Sequence, residues 1–298
     1  MAEKATGFQE FLREEVNRTK GVYYPVRAGF LHRLTIRDAP VKALHPNPND
    51  EFTFPDIGPN YEIISRYMQD YMRDVQFRRG YEESSILEPL YVQKAKPDGY
   101  LILNGHHRWA AAMRAGRSRV RIKIVNLTQP ADIRRMLAKS QSSKRAVLDL
   151  DEVVFCADNG AVTEKPLRFP LNRFYPEKVR KGIPALLHFF NELDYDVWVF
   201  TAKYYSMEYI LYFFKHWNVR LTGIVTGTAR KGDREATMRE LKKMMELKYS
   251  ATLHVDDRLV FRTAAGSKEI EEYPLSGSPD AWAGEVMDAV RTMEAKRR

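Results

Sequence analysis

Asp149 and Asp151 lie two residues apart at the end of the apolar run Ala146-Val-Leu-Asp-Leu-Asp-Glu-Val-Val-Phe155. Side chains two apart on a strand point to the same face, so the pair can share one magnesium ion or one phosphoryl group. Carboxylates so placed divide into a nucleophile and an acid/base. Asp149 would attack phosphorus to form an aspartyl-phosphate, and Asp151 would protonate the leaving oxygen and then activate water. By itself the stretch also reads as a strand followed by an acidic turn, because short motifs recur by chance.

Three further segments bear on that choice. Asp196-Val-Trp-Val-Phe-Thr201 is a second apolar run, ending in a hydroxyl suited to a phosphate oxygen. Lys231, in Thr228-Ala-Arg-Lys-Gly-Asp233, would neutralise charge on the phosphoryl group and the nucleophile, with Lys242 or Lys243 as alternatives. Thr252-Leu-His-Val-Asp-Asp257 is a third run, ending in carboxylates that can complete a hard-cation site. In this order the four segments resemble the haloacid dehalogenase (HAD) superfamily of phosphohydrolases, with its Asp-x-Asp-x-Val signature, strand-end Thr, Lys and Asp-Asp pair. The resemblance implies Asp149 as nucleophile, Asp151 as acid/base, Thr201 as phosphate binder and Asp256 as a Mg2+ ligand. Asp257 would be a second ligand or a support for one, so the implied metal set is Asp149, Asp151, Asp256 and Asp257. The wording around Leu148 and Tyr195 looks most like the branch that contains the C-terminal-domain phosphatases, although Val153 stands where that branch usually has Thr.

Insert lengths bear on the substrate. About twenty residues separate Phe155 from a helix expected to begin near Pro176, enough for a flap and too few for a folded cap. Between Thr201 and Lys231 the chain fits one helix, Met207 to Trp217, and a strand, Gly223 to Thr226. A site without an inserted cap is open to large phosphorylated substrates unless another domain closes it.

The N-terminal half holds a second constellation. Gly99-Tyr-Leu-Ile-Leu-Asn-Gly-His-His-Arg-Trp-Ala-Ala-Ala-Met-Arg-Ala-Gly116 reads as strand, glycine turn and short helix stopped by Gly116. Val120 to Val125 then alternates apolar and basic residues as a half-buried strand. The turn sets backbone N–H groups beside Gly105, His106, His107 and Arg108, which would make an anion pocket. The competing reading has the histidines capping the helix and Arg108 as a surface charge. With the preceding strand Pro89 to Gln93, these residues resemble the ParB/sulfiredoxin fold over about residues 35 to 126, closest to the free-serine-kinase-like members. The resemblance implies that this turn holds the phosphates of a nucleotide, ATP or ADP in a kinase. His106 stands where sulfiredoxins need Cys, and the only cysteine is Cys156. A kinase also needs a base, for which Glu51 is the first candidate and Asp50 the second, both in the Pro/Asn-rich loop after His45. An exposed acidic turn is the alternative there.

These constellations require an α/β chain of two domains. The expected architecture is a ParB/sulfiredoxin-like nucleotide-binding domain over residues 1–140, then a HAD-like Rossmannoid parallel sheet without an inserted cap over 146–298. The polar segment Lys139 to Arg145 would link them. A chain of 298 residues with 44% hydrophobic content can bury two cores, and helix Ile63 to Val75 offers Ile64, Tyr67, Met68 and Tyr71 as a core stripe. The single cysteine suits a reducing cytoplasm, and no long apolar run suggests a membrane span. The net charge of +9 favours anionic partners, nucleotide or nucleic acid, without choosing among them. Clusters at Arg66 to Arg79 and Arg114 to Lys123 could track a nucleic-acid backbone or form a solvated face. Taken together, the expected function is Mg2+-dependent phosphate-ester hydrolysis, joined to a second phosphoryl-transfer site or to a nucleotide-responsive or nucleic-acid-binding module that regulates or delivers the hydrolase.

Overall fold

The computed structural model describes residues 2–76, 88–156, 162–227, 234–266, 270–276 and 278–296. The chain forms two compact units, Met1–Asn126 with Arg230–Arg234, and Leu127–Ala229 with Glu235–Arg298. Both are mixed α/β and contain parallel strand pairs.

The first unit runs α1 (Ala2–Thr19), β1 (Tyr24–Pro25), α2 (Phe30–Leu34), β2 (Arg37–Pro40), β3 (Leu44–His45), α3 (Tyr61–Gln76), β4 (Leu90–Lys96), β5 (Tyr100–Asn104), α4 (His106–Arg114) and β6 (Arg119–Ile124). Its sheet has the order β2-β6-β4-β5-β3, with β1 added to β4. On β6, Val120, Ile122 and Ile124 enter the core while Arg119 and Arg121 face water, the period-two pattern that fixes strand register. Gly99 closes the β4–β5 hairpin at φ +69°, where a Cβ would lie 2.4 Å from the Ala43 carbonyl. Only glycine fits that turn. Ala110, Ala111 and Ala112 are fully buried on α4, and Trp109 joins the same core as Ile64 and Tyr71 of α3. The α3 stripe is therefore core, as its spacing predicts.

The second unit runs α5 (Pro130–Lys139), β7 (Lys144–Asp149), α6 (Leu171–Phe174), α7 (Ile183–Glu192), β8 (Tyr195–Thr201), α8 (Met207–His216), β9 (Gly223–Thr226), α9 (Arg234–Lys248), β10 (Ala251–Val255), β11 (Leu259–Ala264), β12 (Ile270–Pro274) and α10 (Trp282–Ala295). The sheet order is β12-β11-β10-β7-β8-β9. Strands β10, β7, β8 and β9 are parallel, and β11 and β12 continue antiparallel. The parallel strands are buried on both faces, which is why they read as near-continuous apolar runs. One face packs on Leu186, Phe190, Phe213 and Val286, the other on Ile133, Leu137, Met245 and Tyr249.

Two expectations change at this level. The helix expected near Pro176 begins at Ile183, because Val179 pairs with Phe155 and holds the chain extended until Gly182 turns it at φ +85°. The segment Lys139 to Arg145 is not a free linker. Ser140 hydrogen-bonds the Asp196 carboxylate and Ser142 Oγ donates to the Asp194 carbonyl at 2.5 Å, while Ile133 and Leu137 of α5 lie in the second unit's core. The compact units accordingly part between Asn126 and Leu127 rather than at 140–146.

His254 on β10 stacks on Phe261 of β11, with ring centroids 4.5 Å apart and planes 7° from parallel. Burial, aided by nearby Arg145, pushes its pKa down to about 4 from the usual 6.5. The unfolded chain therefore binds more protons than the folded one between those values. This contribution to stability is whole above pH 6.5 and is lost as pH falls towards 4. The urea midpoint is expected to drop between pH 7 and 4.5, and to drop less in His254→Phe, which keeps the stacking. Identical pH profiles for the two proteins would contradict this assignment.

Candidate active site

In the second unit, β7, β8 and β9 succeed one another to one side, and β10 then returns to the other side of β7. The chain direction thus switches between β7 and β10, and at such a point the loops diverge and leave a crevice at the carboxyl ends of the strands. Leu148 is level with Val255, so Asp149 and Asp256 follow directly on either side of the switch. On the other flank Asp149 is level with Phe200, one residue before Thr201. Adjacent strands therefore bring three expected site residues, Asp149, Thr201 and Asp256, to one edge.

Asp149 ends β7, and the chain enters a single π-type turn, Leu150–Val154. One carboxylate oxygen, Oδ1, accepts from the N–H groups of Asp151 at 2.6 Å and Glu152 at 3.0 Å. Among the described residues nothing hydrogen-bonds its other oxygen. Burial, the largest influence, raises the Asp149 pKa, opposed by the two N–H bonds. Asp151 lies inside the turn rather than on the strand. Its proximity to Asp149 therefore comes from the capping bond and not from the pleat, a correction to the same-face expectation.

Asp151 is held by the end of β8. Its Oδ2 accepts from Thr201 Oγ1 at 2.8 Å and from Ala202 N at 3.0 Å. Its Oδ1 is buried without a hydrogen bond, although the exposed Lys203 Nζ stands 3.4 Å away in an ion pair. The Thr201 hydroxyl, expected on a phosphate oxygen, here orients Asp151 and also accepts from Lys203 N at 3.0 Å. Lys203 was not singled out by its sequence. Its place two residues after the strand-end Thr was the available signal. Lys231 lies outside the described residues, and Lys242 and Lys243 are exposed on α9.

Asp256 is exposed after β10, and its N–H donates to the Leu259 carbonyl to close the turn into β11. Asp257 is committed elsewhere: Arg180 Nη2 lies 2.5 Å from its Oδ1, and Trp282 Nε1 donates to its carbonyl at 2.8 Å. Arg180 is buried, stacks 4.5 Å from the Trp282 ring and reaches the Glu152 carbonyl at 3.4 Å. It ties the β10 turn to the turn after Asp149, so Asp257 is joined to that turn through Arg180. Among the described residues, no group of three or more His, Cys, Asp or Glu side chains is arranged to hold a metal. The four expected ligands are not gathered as a cage. Mg2+, however, keeps several waters and uses one or two carboxylates with substrate phosphate. The exposed carboxylate of Asp256, on the strand end next to Asp149, fits that requirement.

In the first unit, Gly105 precedes α4 at φ +98°, and a Cβ there would meet Leu90 Cγ at 3.0 Å and the Arg108 guanidinium at 3.3 Å. Arg108 is not a surface charge. It is buried and donates to the Glu88 carbonyl at 2.8 Å and carboxylate at 3.2 Å. His106 Nε2 accepts from Asn47 N at 3.3 Å, and His107 Nε2 accepts from Asn60 N at 3.1 Å. Accepting at Nε2 requires neutral rings, and burial indeed lowers the His107 pKa. Phe52 stacks on His106 and meets the edge of His107. The histidines thus hold the loops containing Asn47 and Asn60 against the helix start. Of the two candidate bases, Asp50 lies 3.4 Å from His106 Nδ1 and caps the turn at Phe52, while Glu51 is exposed.

Residues 70–141 match the family model described as ParB N-terminal domain. Among solved structures, the chain is similar to the C-terminally truncated chromosome-partitioning protein ParB from Caulobacter crescentus complexed with CTP-gamma-S. That match is 23% identical, covers 37% of this chain and 56% of that one, and has a TM-score of 0.24. No curated protein matches the chain. Among the described residues no helix is long and apolar enough to cross a membrane.

Proposed function

We propose that the second unit is a phosphohydrolase of HAD type that forms an aspartyl-phosphate on Asp149. The observation that carries this reading is the junction of Asp149, Asp151 and Thr201 at the carboxyl ends of adjacent parallel strands. Asp149 is tied at one oxygen by two N–H groups, which aims the other at an incoming phosphorus. Asp151 stands two residues on, fixed by Thr201 and Ala202, where it can protonate the leaving oxygen and then take a proton from water. The Lys203 ammonium offsets charge gathering around the two carboxylates. Mg2+ held by Asp256, with water and substrate phosphate, would supply positive charge to the phosphoryl oxygens beside Asp149. Asp257 and Arg180 hold the turns that carry these groups.

The expected result is hydrolysis of p-nitrophenyl phosphate in Mg2+, lost on adding EDTA and restored by excess Mg2+. Turnover indifferent to EDTA would contradict the metal's part.

We infer that the first unit is a ParB-like module whose Gly105–His107 turn receives a nucleotide. The match over residues 70–141 supports this reading. His106 and His107 would act there by fixing the loops around the first turn of α4, whose N–H groups suit phosphate. Such a module would regulate or deliver the hydrolase, with CTP, ATP or ADP as ligand and nucleic acid as its target. A kinase acting through Asp50 or Glu51 is the second reading, supported by the place of Asp50 beside His106.

A further inference from the structure

The segment from Thr163 to Lys181 leaves the edge that carries the carboxylates and returns to it. At its base, Phe155 bridges Val179 and Thr163 bridges Arg180. Cys156 N donates to the Lys178 carbonyl at 2.8 Å, and Arg180 N donates to the Val154 carbonyl at 2.9 Å. Farther out, the Tyr209 hydroxyl on α8 lies 3.1 Å from the Phe174 carbonyl and donates to Glu177 Oε2 at 2.5 Å. Tyr175 packs on Tyr209 with ring centroids 4.9 Å apart. Its base is joined to the turn after Asp149 and its outer part to the helix that follows Thr201. The segment therefore flanks the proposed phosphoryl site.

Its charges are sorted by direction. Both carboxylates turn inward, Glu164 onto Gly182 N at 2.7 Å and Glu177 onto Tyr209. Lys165, Arg168, Arg173 and Lys178 are exposed, and none pairs with a carboxylate among the described residues. Two large rings lie among them in water, Phe169 at 70% and Phe174 at 53% exposure, with the Arg173 guanidinium 5.1 Å from the Phe169 centroid. Cations interleaved with exposed rings match a ligand that carries repeated negative charge and flat apolar faces. Single-stranded nucleic acid has both: its phosphates meet Lys and Arg, and its bases stack on aromatic rings. A phosphopeptide offers one strong anion and no stacking faces, and leaves most of these groups unused.

We propose that the Thr163–Lys181 segment binds single-stranded nucleic acid, so that the phosphate reaching Asp149 is a terminal phosphate of a polynucleotide. The binding surface stands on its own residues. Only the delivery to Asp149 rests on the phosphohydrolase reading.

Binding is read in the full chain carrying Asp149→Asn, by fluorescence anisotropy with a labelled, 5′-phosphorylated oligothymidylate at rising KCl. Arg168→Ala with Arg173→Ala is expected to weaken binding about tenfold and to flatten the salt dependence by about two phosphate contacts. Phe169→Ala with Phe174→Ala is expected to weaken binding about tenfold with the salt slope kept. Thermal melts confirm folding. Should either pair melt early, Lys178→Glu, outside α6, reads the same polyanion contact. Unchanged affinity in these variants would overturn the proposal. Loss of phosphopeptide turnover by the arginine pair, with Asp149 intact and oligonucleotide binding kept, would overturn it in favour of a protein substrate. Because the assay needs no turnover, its outcome is independent of whether the native protein hydrolyses p-nitrophenyl phosphate.

Discussion

Replacing Asp149 by Asn is expected to lower kcat for p-nitrophenyl phosphate by about a thousandfold or more, since the covalent route is then closed. The side-chain amide has nearly the carboxylate's shape. Its oxygen can still accept from Asp151 N and Glu152 N, so the turn after β7 stays capped. What it loses is the negative oxygen that attacks phosphorus. The same change removes a charge that burial disfavours, as the raised Asp149 pKa shows. The variant is therefore expected to melt about 2 °C higher than the native chain, the cost of a functional charge being relieved. Sign and origin agree: a carboxyl with a raised folded pKa favours the fold below its ordinary pKa, and loses that contribution as pH rises through the folded value. Inactivity with a retained or higher melting temperature identifies a chemical role. Inactivity with a collapsed melt would not, and full activity would remove Asp149 from the reaction.

Asp151→Asn is expected to lower kcat by about a hundredfold to ten-thousandfold, the usual range for losing a general acid/base. The amide oxygen can still accept from Thr201 Oγ1 and Ala202 N, so the position is kept while the proton chemistry is lost. The two half-reactions should suffer unequally. p-Nitrophenolate leaves without protonation, so the first step on that ester is spared, whereas hydrolysis of the aspartyl-phosphate still needs a base. Stopped-flow measurement should show a burst of p-nitrophenol followed by slow turnover, and esters with poor leaving groups should lose the first step as well. Equal losses on good and poor leaving groups, with no burst, would argue against Asp151 as acid/base.

The parts of this account legible in the sequence are those set by neighbours along the chain. An apolar run ending in Asp or Thr is a strand in a sheet covered on both faces, and its last residue falls at the strand's carboxyl end. Asp149, Thr201 and Asp256 follow from that rule, as does the β9 strand Gly223–Thr226. The buried stripe of α3 and the alternation on β6 follow from period alone. Arg180 was not legible, because its role depends on Val179 pairing with Phe155 across an intervening segment whose return point no local pattern specifies. The same pairing delays α7 to Ile183. Lys203 is not marked by the sequence, because a lysine in a loop carries no period and its ion pair exists only once Asp151 turns towards β8. Asp149 and Asp151 are joined by a capping bond within the turn and not by the pleat, which their spacing alone does not reveal. In the first unit, two histidines and an arginine at a helix start suggested an anion pocket. The structure commits all three side chains to neighbouring loops, and only three-dimensional proximity to Asn47, Asn60 and Glu88 could reveal it.

The central claim is a covalent phosphoryl group on Asp149, and it can be observed directly. The full chain is mixed with excess p-nitrophenyl phosphate and Mg2+, quenched in acid within the first turnover, digested at low pH and analysed by mass spectrometry. A peptide containing Asp149 that gains the mass of one phosphoryl group, with no gain in Asp149→Asn, is the predicted result. Steady release of p-nitrophenol with no phosphorylated peptide, or with the added mass on a different residue, would contradict the mechanism.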